Sequence, residues 1–365
     1  MERIRVAVVG CGYWGSKHVR VLRSSQAVEE VVLVDGSAER LAALGGAGVR
    51  AFPSLDQALP EVDAVVIATP PSTHVPLGLQ AVAAGKHVLV EKPMATTTAA
   101  ARLLLQAAEE SGVVLMVGHT FEYNGAVWKL RSLIDSGELG DLYYIDTARL
   151  NLGLYQRDVN VIMDLAPHDI SILNYLTGSV PSSVEAWGAR HAHRSFEDVA
   201  YLRLYYDRLD LAANVHVSWL DPCKVRRLTA VGSRKMAVYN DLATEERIRL
   251  HDKGVLSASA LSGGVGPALT EPPMSYRYGD ITSPFVVYDE PLTVQDSHFL
   301  DCVQTGARPR TDGHNGVAVV RALECAQISL EQGRRVACDE VDDRRLAFPE
   351  QWDEERSARP REAVS

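Results

Sequence analysis

The sequence predicts an α/β protein with an N-terminal doubly wound parallel sheet and a C-terminal α+β domain built on a large, mainly antiparallel sheet. Three observations carry this. Over about the first 120 residues, apolar runs alternate with helical stretches, as a parallel doubly wound sheet requires. After Gly118, longer segments alternate apolar and polar residues with a period of two, the pattern of an antiparallel sheet covered on one face. The first apolar run, Val6-Ala7-Val8-Val9, ends in Gly10-Cys11-Gly12-Tyr13-Trp14-Gly15 and opens a helical segment.

In chain order, the N-terminal strands fall at 5–10, 30–35, 64–68, 87–91 and 113–117, with helices at 13–24, 38–44, 55–59, 74–84 and 98–111. Ala64-Val65-Val66-Ile67-Ala68 is apolar throughout, which suits a strand covered on both faces. Thr69-Pro70-Pro71 stops it, placing that loop at the carboxyl edge, where open α/β sheets bind ligands. Later strands fall at 142–150, 184–191, 199–206, 211–219, 225–231 and 235–239. Leu211, Ala213, Val215, Val217 and Trp219 share one face of theirs. Helices at 293–305 and 313–332 follow a Gly-, Ser- and Pro-rich stretch at 255–278 that reads as a long loop. These shifts divide the chain into a dinucleotide-binding domain (1–120), a substrate-binding and oligomerisation domain (121–348) and a charged, disordered tail (349–365).

Each glycine of G-x-G-x-x-G has a physical task. Gly10 permits a tight turn, Gly12 lets the backbone approach a pyrophosphate, and Gly15 lets helix and strand pack closely. The helix N-terminus adds unpaired N–H groups and a positive dipole end. Val31-Val32-Leu33-Val34 ends in Asp35, 20 residues after Gly15, where a carboxylate accepts hydrogen bonds from an adenosine ribose. The motif therefore predicts a nicotinamide dinucleotide. Asp35 favours NAD over NADP, because a carboxylate repels a 2′-phosphate, although Ser37 and Arg40 close by keep NADP open.

A formal net charge of −10 argues against nucleic acid as the main partner. No apolar run reaches the roughly 18 residues that span a bilayer. The first strand leaves no room for a signal peptide, and five scattered cysteines show no Cys-x-x-Cys spacing. A cytoplasmic protein with reduced thiols and no metal site is expected. His191-Ala192-His193 puts two imidazoles on one strand face with no third ligand in view and is read as structural.

Val88-Leu89-Val90-Glu91-Lys92-Pro93 ends a buried strand in a lysine that Pro93 holds away from helical geometry. That places Lys92 at the carboxyl edge, near the expected nicotinamide. In Met163-Asp164-Leu165-Ala166-Pro167-His168, proline's preference for a first helical turn puts Asp164 just outside a helix and His168 in its first turn. The carboxylate would then orient the imidazole as a general base. Asp164 as a simple N-cap and His168 as a packed histidine fit the spacing equally well.

The succession of G-x-G-x-x-G, Thr69-Pro70 with His74, Gly85-Lys86-His87-Val88-Leu89-Val90-Glu91-Lys92-Pro93 and Asp164-x-x-x-His168 resembles the glucose–fructose oxidoreductase / inositol dehydrogenase family. The resemblance runs to roughly residue 345. It implies hydride transfer between a nicotinamide and a secondary hydroxyl or ketone of a sugar or cyclitol, with position 3 of a nucleotide-linked or amino hexose the natural site. It implies Lys92, Asp164 and His168 as the catalytic set, with His168 exchanging the hydroxyl proton and Lys92 bridging cofactor and substrate. Cofactor contacts are implied for Gly10, Gly12, Tyr13, Trp14, Gly15, Asp35, Thr69, Pro70, His74, Glu91 and Lys92.

The segment from Arg149 to Asp158, with Tyr155 and Arg157, is expected to line the substrate pocket, its arginines suiting a phosphate or carboxylate. Tyr123 and Asn124 lie where the chain crosses between domains; there His119 and Glu122 depart from the Gly-Phe-Asn-x-Arg-Phe of many relatives. Relatives assemble through the C-terminal sheet, so a homodimer or homotetramer is expected, with Val199, Tyr201, Tyr205 and Trp219 as candidate contacts. Two rivals share these residues: a glycosidase that oxidises its substrate transiently on bound NAD, and a non-catalytic dinucleotide sensor.

Overall fold

The computed structural model describes residues 3–46, 48–153, 155, 159–192, 194–256, 275–342 and 344. The chain first builds a six-stranded parallel sheet in the order β3-β2-β1-β4-β5-β6. Its strands are β1 (Ile4–Val9), β2 (Val28–Val34), β3 (Ala51–Phe52), β4 (Ala64–Ile67), β5 (His87–Glu91) and β6 (Leu115–Gly118). Between them run α1 (Tyr13–Ser24), α2 (Ala38–Leu44), α3 (Leu55–Ala58), α4 (His74–Ala83) and α5 (Thr98–Ser111). The Val-, Ile- and Leu-rich strands are buried on both faces between two apolar clusters, one under α4 and α5 and the other under α1. Strand order reverses between β1 and β4, so the loops after these strands open a crevice at the carboxyl edge. The two-residue β3 was not expected from the sequence, being too short to show a period.

Beyond α6 (Gly125–Asp135), a second sheet of nine strands has the order β14-β13-β12-β11-β7-β10-β9-β8-β15. Its strands are β7 (Leu142–Leu152), β8 (Ser183–Ala189), β9 (Val199–Tyr206), β10 (Leu211–Ser218), β11 (Leu220–Gly232), β12 (Met236–Asn240), β13 (Ile248–Leu256), β14 (Ser275–Thr282) and β15 (Val336–Ala337). All pairs are antiparallel except β7 with β10. One face packs on α6, on α7 (Val161–Thr177) and on the later half of α9 (Gly313–Gln332).

The chain then returns to the first sheet. Phe299 and Leu300 of α8 (Pro291–Thr305) join the core under α1, and Val317, Ala318 and Val320 of α9 join the core under α5. Gly316 allows this approach, since a Cβ there would meet Val117 Cγ2 at 2.7 Å and Met94 Sδ at 2.8 Å.

Three expectations change. The stretch at 255–278 is strand at both ends, β13 reaching Leu256 and β14 starting at Ser275, and the rest lies outside the described residues. The tail at 349–365 also lies outside them. Trp219 is buried with the apolar face of β10 it was read with and offers no subunit contact. Helix α7 begins at Val161, capped by Asn160, whose Oδ1 accepts the Met163 N–H at 3.1 Å. Pro167 is therefore interior, Asp164 lies in the first turn rather than outside it, and His168 lies one turn further on. The side-chain cap and the apolar run Val161-Ile162-Met163 outweigh proline's preference for a first turn.

Candidate active site

The crevice above β1, β2 and β4 is a cleft of about 830 Å³. Gly10 turns the chain at φ +91°, and a Cβ there would strike Ala68 O at 2.7 Å. A Cβ on Gly15 would fall 1.8 Å from Gly10 O, so only glycine lets α1 pack this closely. Gly12 is different: a Cβ there would meet nothing within 4 Å. That space lies at the start of α1, where Gly12 caps the helix with no side-chain bond and leaves first-turn N–H groups for an anion. These are the three tasks that a pyrophosphate site demands.

Asp35, at the end of β2, accepts the Cys11 N–H on Oδ2 and the Ser37 N–H on Oδ1, both at 2.8 Å. The two bonds aim the carboxylate into the cleft and leave lone pairs for ribose hydroxyls. Arg40 Nη1 lies 3.7 Å from Asp35 Oδ2 on a side chain 62% exposed. Asp35→Ser is expected to raise the Kd for NAD roughly tenfold to hundredfold, the worth of a charged hydrogen bond, and to tighten NADP by releasing Arg40. Titration of both dinucleotides checks this, and an unchanged preference would show that Asp35 does not read the ribose.

Lys92 directly follows β5 and is joined to Pro93 by a cis peptide bond. Its Nζ donates to the Asp164 carbonyl at 2.7 Å and lies 3.3 Å from Asp164 Oδ1, on a side chain only 9% exposed. The Trp219 indole N–H holds Asp164 Oδ2 at 3.0 Å. Asp164 thus fixes Lys92 from α7, and no hydrogen bond joins it to His168.

A second chamber of about 370 Å³ opens on the other side of this pair, lined by His168, Phe121, Asn124, Arg149, Arg226 and Tyr288 among others. Lys92, Asp164, Tyr13 and Trp14 line both spaces. His168 stands edge-on to Phe121 with ring centroids 5.0 Å apart, and its buried Nδ1 has no hydrogen-bond partner among the described residues. Burial, then the positive charges of Lys92, Arg149 and Arg226, hold its imidazole well below the usual histidine range. It is neutral at pH 7 and able to take a proton.

Two family models match this chain. "Oxidoreductase family, NAD-binding Rossmann fold" matches residues 4–119, and "GFO/IDH/MocA C-terminal domain" matches residues 127–238. The chain belongs to the GFO/IDH/MocA oxidoreductase family. A UDP-N-acetylglucosamine 3-dehydrogenase of Acidithiobacillus ferrooxidans is 37% identical over 190 residues, 52% of this chain and 59% of that protein. Its solved structure superposes with a TM-score of 0.73 at 27% identity, covering 91% of this chain and 99% of the other. D-apiose dehydrogenase of Paraburkholderia graminis is 25% identical over 92% of this chain and 90% of its own length. GenD2 from gentamicin A biosynthesis, solved in complex with NAD, aligns with a TM-score of 0.76 at 27% identity, covering 92% of this chain and 97% of its own.

Within this GFO/IDH/MocA fold, the residues expected from the sequence divide into two groups. Gly10, Gly12, Tyr13, Trp14, Asp35, Thr69, Pro70, Glu91 and Lys92 all line the dinucleotide cleft. Gly15 shapes the cleft through packing. His74 is a buried staple, its ring nitrogens 2.9 Å from Pro93 O and 2.8 Å from Thr69 O, so it joins the two loops that frame the cleft. Tyr123 belongs to the core, its hydroxyl 3.0 Å from Thr311 Oγ1, not to the substrate chamber. Asn124 caps α6 and also touches the chamber, donating to the Tyr239 hydroxyl at 3.1 Å. Arg149 lines the chamber but is paired with Asp169 at 2.7 Å. Tyr155 packs on Trp219 with centroids 5.3 Å apart, and Arg157 lies outside the described residues. Among the described residues no cluster of three metal-binding side chains occurs; His191 pairs with Asp198 at 3.0 Å, and His193 is not described.

The sequence reading missed three groups. Trp219 had no signal, since its indole reaches Asp164 from the junction of β10 and β11, 55 residues further along the chain. Arg226 had one: it shares parity with buried Leu228 and Ala230 on a recognised strand, and a cation at a core-facing position marks a cavity. The third is a buried triad. His18 Nε2 lies 3.0 Å from Glu91 Oε1, and His18 Nδ1 lies 3.0–3.1 Å from both oxygens of Asp296. Glu91 Oε2 in turn accepts the Lys92 N–H at 3.1 Å, so α1 and α8 are tied to the backbone of the lysine.

Proposed function

We propose that this protein is an NAD-dependent dehydrogenase acting on a secondary hydroxyl of a sugar, preferentially position 3 of a nucleotide-linked or amino hexose. One observation carries the reading: Lys92 and Asp164 form the wall between a dinucleotide cleft and a second chamber that holds a neutral His168. The substrate class is supported by similarity to a UDP-N-acetylglucosamine 3-dehydrogenase. Glycine spacing, the uncapped α1 terminus and Asp35 fit NAD, which supplies a hydride acceptor when bound.

The chain's own groups account for the rest. A lysine ammonium has three N–H donors. Two are directed at Asp164, which leaves one for the substrate hydroxyl oxygen. As negative charge develops on that oxygen, the fixed ammonium stabilises it without reorganising. The hydroxyl proton passes to neutral His168, whose charging is opposed by the neighbouring cations and which therefore releases it readily. Ketone reduction uses the same groups in reverse.

A screen of nucleotide sugars, amino sugars, sugar phosphates and cyclitols, followed by the absorbance of NADH, tests the reading. Reduction of NAD by at least one sugar supports it. NAD binding with no reduction by any of them, and no NADH consumption by the corresponding keto-sugars, would sink it.

We place the protein in the cytoplasm, on the support of five free cysteines and the absence, among the described residues, of any helix long and apolar enough to cross a membrane. We also propose self-association through the outer face of the nine-stranded sheet. Trp187 and Tyr201 are 58% and 49% exposed there, and Tyr201 stacks on His216 at 4.0 Å.

A further inference from the structure

The second chamber is cation-rich in a chain whose net charge is −10: five basic side chains line it against three acidic ones. Each acid already has a cation. Asp164 has Lys92, Asp241 has Arg226, and Glu290 has Arg20. Lys224 has no carboxylate partner among the described residues. It lies on β11 with Arg226, and both line this chamber but not the dinucleotide cleft, so the cofactor's own phosphates do not account for them.

Register sharpens the point. Arg226 on β11 stands directly opposite Arg149 on β7. Like charges in a cross-strand pair are destabilising. Both guanidinium carbons lie over the same ring, Phe121, at 4.5 Å for Arg149 and 5.7 Å for Arg226. That ring is the one His168 packs against.

The two arginines are not equally neutralised. Arg149 is buried and takes both oxygens of Asp169, at 2.7 and 3.3 Å. Arg226 makes one bond, to Asp241 Oδ2 at 3.1 Å, and its side chain stays 37% exposed. Asp241 is shared further, accepting the Tyr239 hydroxyl at 2.9 Å and lying 3.9 Å from Arg247. With five N–H donors on a guanidinium, Arg226 keeps a donor fork for a ligand.

We propose that Arg226 and Lys224 form an anion subsite, so that the sugar oxidised here carries a phosphate or carboxylate that lies against β11 while its reacting carbon faces Lys92 and His168. The inference rests on the dehydrogenase reading above and narrows its substrate class to anionic sugars. A planar fork beside a flexible ammonium suits an oxyacid group with two or more acceptor oxygens. A neutral cyclitol would leave both cations unanswered.

The test uses the NAD-loaded full chain in two arms. In the first, UDP, glucose 6-phosphate, glucuronate and inositol are titrated calorimetrically into the wild type, Arg226→Gln and Lys224→Ala. The subsite predicts saturable binding of at least one anion, none of inositol, and a loss of roughly tenfold to hundredfold in Arg226→Gln. Lys224→Ala, an exposed change on an edge of the chamber, gives a smaller loss in the same direction and guards against misfolding of the first variant. Preference for UDP and the sugar phosphate over glucuronate assigns phosphate; the reverse assigns carboxylate. In the second arm, kcat and KM are measured on whichever sugar reduces NAD. KM rises in both variants with kcat changed less. If a neutral sugar is turned over, no anion binds and neither variant changes KM, the subsite is wrong while the dehydrogenase stands. If anions bind through Arg226 but no sugar reduces NAD, the dehydrogenase reading fails and the subsite survives.

Discussion

Lys92→Met is expected to lower kcat by about a hundredfold to ten-thousandfold, the range of a lost charge-stabilising and proton-positioning group, while leaving NAD binding largely intact. The reason is geometric. Lys92 Nζ sits on the wall shared by both spaces, held by the carbonyl and carboxylate of Asp164, and among the described residues it is the only lysine that lines both. Methionine keeps the unbranched stem and so the packing of the wall. Arginine is not a conservative substitute, since its fork cannot reproduce a single point donor. Steady-state rates and NAD titration separate the two effects. Turnover within a few-fold of wild type would remove Lys92 from the chemistry and would favour a site that only binds dinucleotide.

The largest effect on stability is expected at His18. Its imidazole is fully buried; burial opposes its charge, but the Asp296 and Glu91 carboxylates outweigh this and push it up to about 10. His18→Leu leaves two carboxylates facing each other without a cation, and breaking a buried charge cluster in this way costs about 3–5 kcal/mol. The urea midpoint falls accordingly. Activity falls too, because Glu91 loses the partner that orients its bond to the Lys92 N–H.

The pH dependence has a defined sign. The folded-state value lies above the ordinary 6.5, so the stabilisation is complete below pH 6.5 and is lost as pH rises toward 10. The difference in Tm between wild type and His18→Gln is therefore largest at pH 6 and narrows by pH 10. A constant difference across that range would show that His18 is not charged in the folded protein.

The first sheet was largely legible because each signal is local. Helices at 13–24 and 98–111 have the predicted bounds, and the three glycines have the geometry their spacing implies. Lys92 was found because a buried strand followed by proline fixes where a side chain must lie. The start of α7 was misread because proline's statistical preference was weighed without Asn160, whose cap decides the register. What no local pattern shows is a partnership across the chain. His18 and Asp296 are 278 residues apart in sequence. Arg149 and Arg226 become opposite only through the β7–β11 register. Asp164 serves Lys92 rather than His168 because a helix places its carboxylate toward β5, which spacing within the helix cannot reveal.

The central claim is that a hydride leaves the sugar carbon while Lys92 and His168 handle the hydroxyl oxygen and its proton. The measurement that tests it most directly follows isotope. The sugar that reduces NAD is prepared with deuterium on its oxidised carbon, and the NADH formed is weighed by mass spectrometry. One deuterium in the nicotinamide ring, formed far more slowly by His168→Ala or Lys92→Met, is the predicted result. Unlabelled NADH with the deuterium released to water would contradict the account.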